Sequence, residues 1–263
     1  MSIMVKAAEK ASRGLIRDFG EVENLQVSRK GPNDFVTAAD LRSEKIIREE
    51  LEYARPGYSF LMEESGKVEG KDTDHKWIID PLDGTKNFMH GFPHWSITIA
   101  LEEKGEVICG LIYDPVRDEM FWAEKGIGAF MNSKRLRVSS RNNMADAMVG
   151  MGSPTRGKKG HDMLVSEIPN IIHNTSTIRR AGSAALDLAY VAAGRLECYW
   201  ERGLSPWDSA AGILLIKEAG GFVTDLDDAK NPVYGKALAA SNSALHTDFI
   251  KLLKMDNNKV KTA

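Results

Sequence analysis

A change of hydrophobic period partway along the chain is what most restricts its fold. Residues 3–19 place Ile3, Ala7, Ala11, Leu15 and Phe19 four apart, which predicts an amphipathic helix closed by Gly20. A second helix is expected over about residues 37–54, with Ala39, Ile46, Ile47, Leu51 and Ala54 on one stripe and Pro56-Gly57 as its stop. From Lys76 the period falls to two. Lys76–Ile79, Ser96–Leu101, Val107–Tyr113, Glu119–Glu124 and Gly128–Met131 read as strands, and the Lys104-Gly105 and Asp114-Pro115 turns predict an antiparallel meander. Helices return at about 183–193 and 208–219, followed by short strands at 222–226 and 237–240 and a last helix near 244–254. Strand runs followed by mixed segments specify an α+β fold, with layers of helices on sheets. The 263 residues read as one unit without repeats or a long linker, divisible into halves at about 1–145 and 146–263. Only the polar end of the final KLLKMDNNKVKTA is expected to fray.

The charge balance is even, 35 Lys and Arg against 37 Asp and Glu, so the basic excess of a dedicated nucleic-acid binder is missing. Cys109 and Cys198 stand in apolar or aromatic surroundings and are expected to be reduced, buried thiols; neither a disulfide framework nor a zinc knuckle fits two cysteines so far apart. The first twenty residues carry charges too often for a signal peptide, and no stretch reaches the roughly 18 apolar residues of a membrane span. A cytoplasmic location without membrane association is expected.

The most informative segment is Trp77-Ile78-Ile79-Asp80-Pro81-Leu82-Asp83-Gly84-Thr85. An apolar strand ends on two carboxylates three residues apart, and Pro81, which cannot donate to a ladder, is expected to stop it. The turn would let Asp80, the Leu82 carbonyl and Asp83 face one point. Oxygen donors alone suit a hard divalent cation such as Mg²⁺, and the lack of clustered Cys and His argues against zinc. Gly84 permits close backbone approach, and its N–H with that of Thr85 could donate to a phosphate oxygen. Asp-Pro and Asp-Gly are also ordinary turn dipeptides, so the spacing by itself fits a turn as well as a site. Phosphatases with an aspartyl nucleophile are a poor fit, because their two acids lie two apart on a first strand. Two further acids bear on the choice. Glu63 follows the apolar Phe60-Leu61-Met62, so a strand end would deliver its carboxylate; alone, it would read as a solvated acid. Asp208, in Ser205-Pro206-Trp207-Asp208-Ser209-Ala210-Ala211-Gly212, opens an apolar helix. It reads either as an N-cap or as an acid beside an anion-binding helix terminus.

Together, Glu63-Glu64-Ser65, the run from Trp77 through Phe88, and Trp207-Asp208-Ser209-Ala210-Ala211-Gly212 resemble the inositol monophosphatase family, most closely its bacterial extragenic-suppressor type. The motifs keep the family's order over about residues 5–255. The resemblance implies an αβαβα sandwich of the inositol monophosphatase and fructose-1,6-bisphosphatase type, a homodimer, two to three Mg²⁺ ions and sensitivity to Li⁺. Position by position, it implies that Glu63, Asp80, the Leu82 carbonyl, Asp83 and Asp208 are metal ligands. Asp40, in Val36-Thr37-Ala38-Ala39-Asp40, matches a further acid near a weaker metal and the attacking water. Thr85 matches the threonine that, with Glu63 and Asp40, activates that water. Leu82, Asp83, Gly84, Thr85 and Asp208 would border the substrate, Glu201 would contact its hydroxyls, and Gly182-Ser183-Ala184 would lie beside it. Arg179 reads equally as a phosphate or hydroxyl contact and as half of a surface basic pair with Arg180.

The activity so implied is hydrolysis of a small polyol phosphate, myo-inositol 1-phosphate first. Two cations about 3.5–4 Å apart would activate water and stabilise the leaving alkoxide. Water would attack in line, without a phosphoenzyme. Fructose-1,6-bisphosphatase, bisphosphate nucleotidase and histidinol-phosphate phosphatase are the alternatives within the superfamily. The bacterial resemblance also implies an RNA polymerase or RNA-processing partner, for which the basic segment 154–161 and Arg179-Arg180 are the candidate contacts. His90 and His94 have the spacing of a helical metal pair, but Gly91-Phe92-Pro93 would break that helix. Phe88, Phe92 and Trp95 read as core or interface aromatics. Lys86 stands where many relatives carry a second threonine.

Overall fold

The computed structural model describes residues 1–21, 27–31, 34–154 and 160–255, with the side chains of 27–31 and 34–36 outside that description. Most of the basic segment 154–161 and the end of the polar tail therefore lie outside the described residues. The chain opens with α1 (Ser2–Phe19), a hairpin of β1 (Val27–Gly31) and β2 (Asp34–Thr37), and α2 (Ala38–Ala54). The eight-stranded sheet follows: β3 (Ser59–Met62), β4 (Gly66–Val68), β5 (His75–Asp83), β6 (Ser96–Glu103), β7 (Glu106–Asp114), β8 (Glu119–Glu124), β9 (Gly128–Met131) and β10 (Lys134–Arg135). A short α3 (Thr85–Met89) leads from β5 toward β6. The five-stranded sheet holds β11 (Met148–Met151), β12 (Thr177–Arg179), β13 (Cys198–Arg202), β14 (Phe222–Asp225) and β15 (Ala237–Ser241). Its helices are α4 (His161–Asn174), α5 (Ala184–Ala192), α6 (Pro206–Glu218) and α7 (His246–Leu253).

The layers follow from which helix faces are apolar. Helix α6 buries every residue from Ser209 to Ile216, and α5 is nearly as enclosed, so both must be covered on two sides. They lie between the sheets. Helices α1 and α2 bury one stripe each against the outer face of the large sheet, and α4 and α7 cover the small one, which completes an αβαβα sandwich. Glycines set the closest approaches: a Cβ on Gly212 would lie 2.5 Å from Leu188 Cβ, and one on Gly110 would lie 2.9 Å from Ala211 Cα.

From β5 to β10 the sheet is the expected antiparallel meander. Strand β3, however, pairs with β5 in parallel, Phe60 opposite Trp77 and Met62 opposite Ile79. Both strands therefore deliver their C-terminal ends to the same edge. Strand β5 also departs from the expectation that Pro81 would end it. The ladder places Asp80 opposite Thr98 and Asp83 opposite Ser96, so β5 bulges by one residue and runs on. Pro81 sits in the bulge, where no ladder donor is needed, and its carbonyl accepts a hydrogen bond from Ser43 Oγ at 2.9 Å. Strands β11, β12 and β13 and helix α4 are additions to the expected elements; α4 buries Leu164, Glu167 and Ile171 on one face and has Pro169 within it. Cys198 is fully buried as expected, whereas Cys109 on β7 is only half-buried, and burial raises both thiol pKa values. Phe88 and Trp95 join Phe19 in the core, while Phe92 is exposed. Among the described residues no helix is long and apolar enough to cross a membrane.

Candidate active site

Four acids meet where β3, β5 and α6 end or begin. The parallel β3–β5 pair is extended by the Glu63 N–H, which donates to the Ile79 carbonyl at 3.2 Å, so Glu63 leaves the sheet beside Asp80. Asp80 and Asp83 flank the Pro81-Leu82 bulge. Asp208 enters from α6, and Thr98 Oγ1, on the strand facing Asp80, donates to the neighbouring Trp207 carbonyl at 2.9 Å. Asp208 is the third helical residue rather than the N-cap: Ser205 caps α6, and Asp208 Oδ2 accepts the Ser205 N–H at 2.7 Å.

Asp80, Asp83 and Asp208 each accept hydrogen bonds on a carboxylate oxygen. Asp80 Oδ1 accepts the Leu82 N–H at 2.9 Å. Asp83 Oδ2 accepts the Ala185 N–H at 2.9 Å and the Ser183 hydroxyl, which ties the Asp80–Asp83 loop to the start of α5. Burial, with repulsion from Glu63, Asp83 and Asp208, holds the Asp80 carboxyl well above the usual carboxylate range, and burial with repulsion from Glu63, Asp83 and Glu201 does so for Asp208. Burial raises Asp83 to about 6 against its hydrogen bonds. Among the described residues no three acidic, histidine or cysteine side chains close into a finished metal cage. The donor set nevertheless fits a hard divalent cation, because clustered carboxylates that repel one another need added positive charge, and every donor offered is oxygen.

Thr85 and Asp40 form a second, adjoining group. Thr85 Oγ1 lies 3.1 Å from both Asp40 Oδ1 and the Leu82 carbonyl, and it can donate to either. Asp40 is fully buried, and its carboxylate accepts the Thr37 N–H at 2.9 Å, completing the capping box that starts α2. Burial raises its pKa in spite of these bonds. Gly84 adopts φ 94°, and a Cβ there would lie 3.1 Å from the His94 carbonyl, so glycine lets the loop turn against β6.

A cleft of about 330 Å³ opens over the acids and is lined by Glu63, Asp83, Asp208, Gly182, Ser183, Ala184 and Glu201. Burial pushes the Glu201 carboxyl up to about 7; Tyr199 donates to it, and Arg180 opposes the shift. Gly152 makes room for Glu201, since a Cβ there would lie 1.9 Å from its carboxylate. Arg180, not Arg179, lines the cleft; Arg179 instead bonds Thr177 Oγ1 at 2.6 Å and the Ile178 carbonyl at 3.0 Å, outside it. Asn87 and Asp187, which the sequence did not mark as site residues, also line the cleft. Asn87 Nδ2 donates to the His94 and Ala181 carbonyls at 2.7 and 2.9 Å, joining α3 to the Gly182 turn. Asp187, buried in α5, is raised well above the usual range by burial and by repulsion from Glu201 and Asp83. An acid within the apolar Ala184-Ala185-Leu186-Asp187-Leu188-Ala189 run is the signal that could have marked it. Exposed Lys86 also lines the cleft. Neither histidine of the spaced pair does: His90 is exposed, and buried His94, lowered to about 4 chiefly by burial, lies 4.0 Å from Asp187.

Residues 1–256 match the family described as the inositol monophosphatase family. A protein of Mesorhizobium japonicum named inositol-1-monophosphatase is 52% identical over 254 residues, covering 97% of this chain and 96% of its own. The crystal structure of the extragenic suppressor protein suhB from Bartonella henselae superposes with a TM-score of 0.93 at 50% identity, covering 97% of this chain and 98% of that one. A protein of Escherichia coli (strain K12) named Nus factor SuhB is 40% identical over 242 residues, covering 92% of this chain and 91% of its own.

Proposed function

The chain belongs to the inositol monophosphatase family, and from that premise we propose that it hydrolyses a small polyol phosphate monoester, myo-inositol 1-phosphate first, with Mg²⁺. Glu63, Asp80, the Leu82 carbonyl, Asp83 and Asp208 would hold the metal, as two to three ions. The observation that carries this reading is the meeting of four carboxylates from three separate elements beside the Asp40–Thr85 pair. Bound there, Mg²⁺ would supply the positive field that favours attack of water on a phosphate dianion and departure of an alkoxide. Thr85 can accept a hydrogen bond from that water while donating to Asp40, and Asp40, with its raised pKa, can take the proton. Glu63 would orient the same water from the other strand. Arg180 and the Gly182-Ser183-Ala184 turn would border the ester, and Glu201 and Asp187 would accept from its hydroxyls. Attack is direct, with no phosphoenzyme. Sensitivity to Li⁺, a homodimer and a cytoplasmic location belong to the same proposal.

Phosphate release from myo-inositol 1-phosphate, fructose 1,6-bisphosphate, 3′-phosphoadenosine 5′-phosphate and histidinol phosphate, with and without Mg²⁺, tests it. Preferential Mg²⁺-dependent turnover of the inositol ester is expected; preference for another ester would keep the chemistry and change the substrate. The relatives named Nus factor SuhB favour a second role, as a partner in a transcription complex. A variant that retains capture of RNA polymerase but loses turnover would separate the two.

A further inference from the structure

Helix α2 belongs to an outer layer, yet its inward face carries Asp40, Ser43 and Glu44, exposed by only 0%, 2% and 3%. Buried acids are costly unless they are bonded, and each of these residues reaches a different segment of the site. Asp40 bonds Thr85. Ser43 Oγ donates to the Pro81 carbonyl at 2.9 Å, within the bulge between Asp80 and Asp83. Glu44 Oε2 accepts the Glu64 N–H at 2.9 Å, and Oε1 accepts the Ser65 hydroxyl, so Glu44 grips the two residues that follow Glu63. Among the described residues no cation pairs with Glu44; these two donors hold its charge.

The β3–β5 ladder ends at Met62 opposite Ile79, and among the described residues the Glu63 N–H bond to Ile79 is the last backbone link of that ladder. Beyond it, consecutive residues on one turn of a capped helix hold one loop against the other, because a helix is stiff and neighbouring side chains have a set separation. We propose that Glu44 is a positioning residue which, with Ser43, sets the spacing between Glu63 and the Asp80–Asp83 bulge and thereby the affinity for the divalent cation. This rests on Glu63 being a ligand, as proposed above.

The test is Mn²⁺ binding to the metal-free chain, measured by electron paramagnetic resonance without substrate and paired with thermal unfolding in EDTA. Glu44→Ala is expected to weaken Mn²⁺ binding by about 10- to 100-fold, the usual effect of removing a group that orients a ligand. Glu44→Gln, whose amide can still accept from Glu64 and meet Ser65, is expected to restore most of it. Ser65→Ala removes only the hydroxyl contact and is expected to weaken binding severalfold even if Glu44→Ala fails to fold. Wild-type Mn²⁺ affinity in Ser65→Ala and in folded Glu44→Ala, with binding lost in Glu63→Gln, would overturn the role of Glu44 alone. Unchanged affinity in Glu63→Gln would overturn the metal-site reading and this inference with it.

Discussion

Asp83→Asn should make the metal-free protein more stable and the enzyme inactive. Asparagine is nearly isosteric, and its amide oxygen can keep the Ala185 N–H and the Ser183 hydroxyl that Asp83 Oδ2 now holds. The change removes a charge that the fold disfavours. Burial raises the Asp83 pKa from 3.8 to about 6, so its ionised form costs about 3 kcal/mol in the metal-free fold relative to the unfolded chain. A raised acid keeps its proton longer in the folded state than in the unfolded one. The contribution of Asp83 is therefore most favourable below about pH 4 and is lost as pH rises through about 6. In EDTA at pH 7.5, Asp83→Asn should melt about 6–12 °C above the natural chain, given about 2–4 °C per kcal/mol for a chain of this size. The gap should shrink toward zero at pH 4. Mg²⁺ at 100 times its Kd returns about 2.7 kcal/mol to the natural chain and should close most of the gap at pH 7.5. Differential scanning calorimetry with and without Mg²⁺, beside phosphate release, reads all of this. An Asp83→Asn protein that melts below the natural chain in EDTA at pH 7.5, or that keeps Mg²⁺-dependent turnover, would refute the reasoning.

Gly152→Ala would drive a Cβ into the Glu201 carboxylate, 1.9 Å away, and break its bond with Tyr199. KM should rise about tenfold or more, as expected for about 1.5–3 kcal/mol of a lost charged hydrogen bond, with kcat less affected; unchanged KM in steady-state kinetics would remove Glu201 from the substrate site. Arg180→Ala should raise KM while Arg179→Ala leaves it unchanged, because only Arg180 lines the cleft; the reverse order in the same assay would refute the assignment. Thr85→Ala should lower kcat by about 10²- to 10⁴-fold with Mn²⁺ binding largely kept, and near-normal single-turnover rates would end its role in handling the proton.

Local pattern carried much of the fold. The four-residue spacing of Ile3 through Phe19 and the stripe from Ala39 to Ala54 reappear as α1 and α2, and the two-residue period from Lys76 to Met131 as the meander. The acids around Asp80 were legible because an apolar strand ending in D-P-L-D-G-T gathers carboxylates at one loop, and Glu63 and Trp207-Asp208 add acids at two further element ends. Their meeting was legible only by resemblance. Period says which face of a segment is apolar and nothing of which strands pair. The parallel register of β3 on β5, which brings Glu63 beside Asp80, is a long-range choice made when α1 and α2 bury one face of the sheet and α6 the other. The same packing decided that Pro81 sits in a bulge, that Asp208 stands three residues inside its helix, and that Arg180 rather than Arg179 turns to the cleft. Asn87, Asp187 and Glu44 belong to this second class. Asn87 follows the D-P-L-D-G-T run and Asp187 sits within an apolar one, but only the burial of distant segments against one another gives these polar groups the partners that make them part of a site.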